Sequence, residues 1–194
     1  MLKKITYIVI LTTTLFSNTS QQLFNKGMNE FFNQNYKKAF FYFNKSCKLN
    51  NANACFRVGF MYAKNKGVKQ NIKKALFYLH KACKLKNARA CFNIALLHEI
   101  GFKVKRNEHL ALKYFKKACE YKMAQGCFNV GLFYQNGIGV KKNIKKALEF
   151  YKKSCDLNSA EGCYTLGNLY KNKKLSKIFY KKACNLGFNI ACKN

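Results

Sequence analysis

All ten cysteines of this 194-residue chain fall into pairs eight positions apart: Cys47/Cys55, Cys83/Cys91, Cys119/Cys127, Cys155/Cys163 and Cys184/Cys192. Thiols at one fixed spacing could form disulfides, hold a metal or exchange electrons. Metal ligation calls for converging ligands such as paired C-x-x-C or neighbouring histidines, and His80, His98 and His109 are scattered. No metal and no cofactor is therefore expected. The N-terminus argues for the first chemistry. Lys3 and Lys4 precede an apolar run from Ile5 to Phe16, and small polar residues follow from Ser17 to Ser20, the order of a secretory signal peptide. The run is too short for a spanning helix, which needs about twenty residues. The reading is a signal peptide over 1–20, cleaved within 17–20, and a secreted or periplasmic mature chain with no membrane span. In that oxidising space an even set of regularly spaced cysteines reads as a disulfide framework.

Aligning the chain on its cysteines gives units 52–87, 88–123, 124–159 and 160–188, the first three each of 36 residues. A fixed period of this size is the signature of a solenoid. In the unit 124–159, Cys127, Val130, Gly131, Phe133 and Tyr134 recur at helical spacing, and Ile144, Ala147, Leu148, Phe150, Tyr151 and Cys155 do the same. The glycine-rich "NGIGVKK" separates the two runs, and Asn143 is placed to cap the second helix, as are Asn71 and Asn107 in earlier units. Each unit is thus a helix, a turn and a helix. Gly59, Gly131 and Gly167 sit inside first helices, where glycine costs about 1 kcal/mol. Close approach of the first helix to the second would explain them.

The linked positions in "VGLFYQNGIGVKKNIKKALEFYKKSC" (Val-Gly with an aromatic three residues on, G-x-G-V, K-K-A and a closing K-x-C) resemble the Sel-like repeat, a relative of the tetratricopeptide repeat. With the cysteine pairs and the signal peptide, the chain is similar to the Helicobacter cysteine-rich proteins. The resemblance implies an all-α, right-handed αα-hairpin solenoid over 21–194, with hairpins near 21–51, 52–87, 88–123, 124–159 and 160–188 and a stub at 189–194. Two units depart from the pattern. The first hairpin has a shorter turn and no cysteine on its first helix, and the last lacks the G-x-G-V turn.

Those departures decide how the cysteines pair. Within a unit the first- and second-helix cysteines lie 28 apart, except Cys163 and Cys184, which lie 21 apart; across unit boundaries the spacing is always eight. Pairing within units would also strand Cys47 and Cys192. Each bridge should therefore tie the end of one hairpin to the start of the next, closing a loop worth on the order of 2.5 kcal/mol in the chain-entropy model.

The side of each first helix away from this core carries a varied set: Asn53, Arg57, Phe60 and Lys64; Arg89, Asn93, Leu96 and Ile100; Gln125, Asn129, Leu132 and Asn136; Glu161, Thr165, Asn168 and Asn172. In tetratricopeptide relatives the first helices line a concave face. Arg57, Phe60, Asn93, Asn129, Thr165 and Asn168 are the expected ligand-binding residues of such a groove, with Asn93 and Asn129 able to bond a peptide backbone. Lys73, Lys74, Lys81, Lys145 and Lys146 on second helices should form a solvated face. The expected partner is a peptide, a protein or a peptidoglycan-derived fragment.

The resemblance also implies penicillin binding and slow β-lactam hydrolysis, hence β-lactams as ligands. The residues lend this no support. A serine β-lactamase uses Ser-x-x-Lys, whereas Ser46, Ser154, Ser159 and Ser176 lead S-C-K-L, S-C-D-L, S-A-E-G and S-K-I-F. The mature chain has one aspartate, Asp156, and His98, Glu99 and Glu108 read as a surface juxtaposition near a turn. Catalytic residues are left unassigned. The formal net charge of +30, or +28 without Lys3 and Lys4, would draw the chain to anionic surfaces. It comes almost wholly from lysine. Nucleic-acid readers favour arginine for bidentate contacts, so no nucleic acid is expected.

Overall fold

The computed structural model describes residues 19–193; the expected signal peptide lies outside them apart from Thr19 and Ser20. The described chain is all-α, an αα-hairpin solenoid of ten α-helices and a terminal 3-10 turn. Its described residues divide into two compact units between Ala90 and Cys91.

In the first unit, α1 (19–32) and α2 (Tyr36–Lys48) form one hairpin, and α3 (Ala52–Lys64) and α4 (Ile72–Lys84) the next. The apolar spacing of the sequence becomes a continuous interior here. Ala39 and Phe43 of α2, Val58 and Met61 of α3, and Ala75 and Leu79 of α4 are buried. Neighbouring second helices are also fastened directly. Tyr78 donates its phenolic proton to Asn44 Oδ1 at 3.3 Å, and the Lys81 ammonium donates to the Cys47 carbonyl at 3.0 Å. Lys81 therefore neutralises the negative end of α2 rather than standing free in solvent.

The second unit holds α5 (Ala88–Ile100, whose first turn belongs to the first unit), α6 (Glu108–Glu120), α7 (Ala124–Asn136), α8 (Ile144–Asp156), α9 (Ala160–Leu169) and α10 (Lys173–Asn185), then a 3-10 turn at Asn189–Lys193. Phe115, Val130, Phe133, Tyr151 and Leu166 are the large members of its core.

Asparagine starts most of these helices, because its side-chain oxygen can accept from an N–H that the first turn leaves unpaired. Asn71, Asn107 and Asn143 accept from Lys74, Leu110 and Lys146, each at 2.9 Å, as expected. The interior glycines are likewise explained. A Cβ on Gly131 would come within 2.5 Å of the Tyr151 ring, on Gly167 within 2.6 Å of Tyr180, and on Gly59 within 3.1 Å of the Ala75 carbonyl.

One backbone motif recurs at the joints between hairpins. The residue three after each second-helix cysteine takes the left-handed conformation: Asn50, Lys86, Lys122, Asn158 and Gly187, with φ of 62°, 67°, 62°, 63° and 90°. Its N–H returns to the cysteine carbonyl, and the next N–H reaches one residue further back, as in Asn50 to Cys47 at 3.0 Å and Asn51 to Ser46 at 3.2 Å. This is a Schellman closure. In the joint after α2 the very next residue, Asn51, already caps α3. The chain reverses in so few residues that cysteines eight apart meet. Cys47–Cys55, Cys119–Cys127, Cys155–Cys163 and Cys184–Cys192 are bonded, with Cα atoms 4.5 to 4.9 Å apart. Cys83 and Cys91 are disulfide-bonded as well, and no cysteine is free.

Candidate functional site

The expected binding residues sit at matching turns of successive first helices. Arg57 and Phe60 are on α3, Asn93 on α5, Asn129 on α7, and Thr165 and Asn168 on α9. Arg57, Phe60, Asn93, Asn129 and Thr165 are half-buried, and Asn168 is exposed. Their neighbours one position away, such as Val58, Ile94, Val130 and Leu166, are wholly buried. Each helix thus gives one side to the core and holds these side chains at its margin.

In the first unit the margin is aromatic and basic. The Arg57 guanidinium lies 5.7 Å from the Phe31 ring centroid, and the Phe31 and Phe60 rings are 6.4 Å apart, edge to face. Burial, and then the nearby positive charge of Arg89, push Arg57 below the usual arginine value. Arg89 stands in the outward column of the sequence but was not among the expected ligand residues, and neither was Phe31. The signal available for Arg89 was the rarity of arginine. For Phe31 there was little, because the first hairpin departs from the repeat pattern that aligns the others.

In the second unit the margin is built of amides and a hydroxyl. Asn129 donates to the Gln125 carbonyl at 2.9 Å, so one of its donors is committed to its own helix. Its oxygen and second N–H retain bonding capacity. Asn168 accepts from the Tyr180 hydroxyl at 2.7 Å, which ties that side chain to α10 and makes it the most structural of the six. The equivalent tyrosine one repeat earlier, Tyr151, donates to a different position of its first helix, Gln135 Oε1, at 2.6 Å; burial pushes the Tyr151 phenol up to about 12.

The groups considered for catalysis are engaged elsewhere. Ser46 donates to the Ser20 carbonyl at 2.7 Å, Ser154 to the Ala124 carbonyl at 2.9 Å and Ser176 to the Gly167 carbonyl at 2.7 Å. Ser159 caps α9 at the Gly162 N–H and donates to Glu161. His98 and Glu108 each have a partner of their own. The His98 ring stacks on Tyr114 at 6.3 Å, while Glu108 pairs with Arg106 at 2.6 Å. Burial raises the Glu99 carboxyl against the opposing pull of Arg106. Among the described residues no group of three His, Cys, Asp or Glu side chains could hold a metal.

A second feature escaped the sequence reading. Near the end of each of four first helices a ring lies parallel to one on the following second helix: Tyr62 on Tyr78, His98 on Tyr114, Tyr134 on Phe150 and Tyr170 on Phe179, with centroids 5.3 to 6.3 Å apart. Lysines cover several of them, including Lys74 over Tyr62 and Lys146 over Tyr134. In four hairpins these stacks tie the first helix to the second.

Five segments, 29–51, 52–87, 88–120, 124–159 and 162–188, match the Sel1 repeat. The chain belongs to the Sel1 repeat family. Among solved structures, a Sel1 repeat protein from Oxalobacter formigenes is 27% identical, with a TM-score of 0.71 over 81% of this chain and 67% of that one. Cysteine rich protein B of Helicobacter pylori is 33% identical, with a TM-score of 0.54 over 66% of this chain and 92% of its own. The protective antigen c5321 of uropathogenic Escherichia coli shares the fold at 22% identity, with a TM-score of 0.75; 89% of this chain is covered and 39% of the antigen. Comparison with curated protein sequences gives no match. As a Sel1 repeat protein whose ten cysteines are all bridged, it is a disulfide-stapled scaffold suited to an oxidising, extracytoplasmic environment. Among the described residues no helix is long and apolar enough to cross a membrane.

Proposed function

We propose that this protein is a binding scaffold that takes an extended peptide, or a peptide fragment of the cell wall, against the margin of its first helices. One observation carries the reading. The backbone and the core repeat every 36 residues, yet at one position of that repeat the half-buried side chain changes from Arg57 to Asn93 to Asn129 to Thr165. Positions that only support a fold converge on similar residues, as the buried Ala39, Ala75, Ala111 and Ala147 do. Varied side chains on a repeated frame give a ligand a different contact at each step. Repeats of this family mediate protein–protein contact, which agrees.

Selection from a random peptide display library tests the reading. Enriched peptides should stay bound at about 0.3 M salt, where simple charge attraction is screened, and should weaken on Asn93→Ala or Asn129→Ala. Failure to enrich any peptide, or binding that disappears at that salt, would overturn it. Nitrocefin turnover that falls on substitution of these same residues would replace it with the hydrolase that the sequence resemblance implies.

A further inference from the structure

We propose that Arg57 and Arg89 together form a receptor for a peptide carboxylate in the first unit, with Phe31 and Phe60 receiving the apolar side chain beside that carboxylate. The inference rests on the peptide-binding reading and gives it a chemical end-point.

Composition is the first observation. The chain has 37 basic residues and only three arginines, Arg57, Arg89 and Arg106. Where a positive charge serves only solubility, this sequence uses lysine. Arg106 is accounted for by its pairing with Glu108. Among the described residues the ion pairs are that one and Lys152–Asp156, so neither remaining guanidinium is paired with a carboxylate.

Placement is the second. Asn87 accepts from the Ala90 N–H at 2.8 Å and so caps α5, while its own Nδ2 donates to Asn53 Oδ1 on α3 at 2.8 Å. That bond fastens the start of α5 to the first turn of α3. Arg89 is two residues beyond Asn87, and Arg57 is one helical turn beyond Asn53 on the same side. The Asn87–Asn53 bond sets the turns that carry Arg57 and Arg89 beside each other, and the positive charge of Arg89 is felt at Arg57. Arg89 also occupies the first turn of its helix, the end where a cation is least welcome, and no acidic residue offsets it there.

Two like charges with no protein carboxylate between them repel, and an anion received between them would offset that repulsion. Guanidinium suits a carboxylate because its planar fork donates two parallel hydrogen bonds. The Phe31 ring under Arg57 keeps that fork in place at 5.7 Å, and the Phe31–Phe60 pair adds an apolar shelf alongside. A bare inorganic anion would leave that shelf unused. A chain-terminal residue, or an acidic side chain next to an apolar one, would fill both parts.

The intact disulfide-bonded protein gives a direct test, because its three arginines yield three side-chain Nε–H signals by NMR. Arg57→Lys, Arg89→Lys and Arg106→Lys assign them. On titration with N-acetyl-L-phenylalanine the Arg57 and Arg89 signals should move saturably while Arg106 stays. The corresponding amide should move none of them. Arg89→Lys, at an exposed position, keeps the charge and the fold and should weaken binding about tenfold through loss of the fork. An equal response to the amide, equal affinity for inorganic phosphate, all three signals moving alike, or no saturable shift would each overturn the proposal. The parent reading is judged separately, by library selection. If selected peptides bind and perturb Asn93 and Asn129 while the arginine signals stay still, the carboxylate receptor alone falls.

Discussion

Gly131 on α7 lies against the ring of Tyr151 on α8, so closely that a β-carbon would stand 2.5 Å from the ring. Helix propensity alone favours alanine there by about 1 kcal/mol, but Tyr151 is fully buried and overpacking costs about 1–3 kcal/mol. Gly131→Ala should therefore lose up to about 2 kcal/mol in urea denaturation. Tyr151→Leu in the same chain should remove most of that penalty, which a double-mutant cycle reads as coupling.

The joints between hairpins predict a change of opposite sign. Lys122 holds φ of 62°, a conformation that costs an ordinary L-residue about 1–2 kcal/mol. The equivalent position in the last joint is Gly187. Lys122→Gly should raise stability by up to about 1 kcal/mol, after the entropy that glycine returns to the unfolded chain. A lower urea midpoint would mean the turn is not strained at lysine.

Replacing Cys155 and Cys163 together by alanine should cost about 2.5 kcal/mol, the closure entropy of an eight-residue loop. Circular dichroism should show the helices retained, since the Schellman bonds at Asn158 and Ser159 remain. Loss of the helical signal at low temperature would show that the bridge creates the joint rather than stapling it.

Tyr151 sets an alkaline limit. Burial pushes its phenol from the usual value of 10 up to about 12, because it disfavours the phenolate. A raised acid of this kind contributes stability that is intact below pH 10 and is lost as pH rises towards 12. Lysine deprotonation over the same range affects wild type and Tyr151→Phe alike, so their difference isolates the phenol. The wild type should lose stability relative to Tyr151→Phe across that window, and parallel curves would refute the assignment.

The frame of the molecule was legible because it rests on local rules repeated several times. Cysteines eight apart, asparagine at helix starts and glycine opposite an aromatic each have one cheap structural solution, and comparison with the irregular last unit chose among pairings. Features that depend on a single pair of side chains were not legible. The Tyr180–Asn168 bond lies in the last hairpin, and the Phe31–Arg57 contact is made from the first, the two hairpins where the repeat offers no template. The stack of His98 on Tyr114 was hidden because histidine replaces the tyrosine of the other repeats at that position. Lys81 looked like one more surface lysine until its ammonium was placed on the Cys47 carbonyl.

The central claim, that ligand is bound at the margin of the first helices, is tested most directly by mapping backbone amide shifts with a library-selected peptide bound. The account predicts that the largest shifts fall on the first-helix margin of the unit engaged: Arg57 and Phe60 in the first, or Asn93, Asn129 and Thr165 in the second. Shifts concentrated instead on the lysine-bearing second helices, at Lys73, Lys74, Lys145 and Lys146, would contradict it.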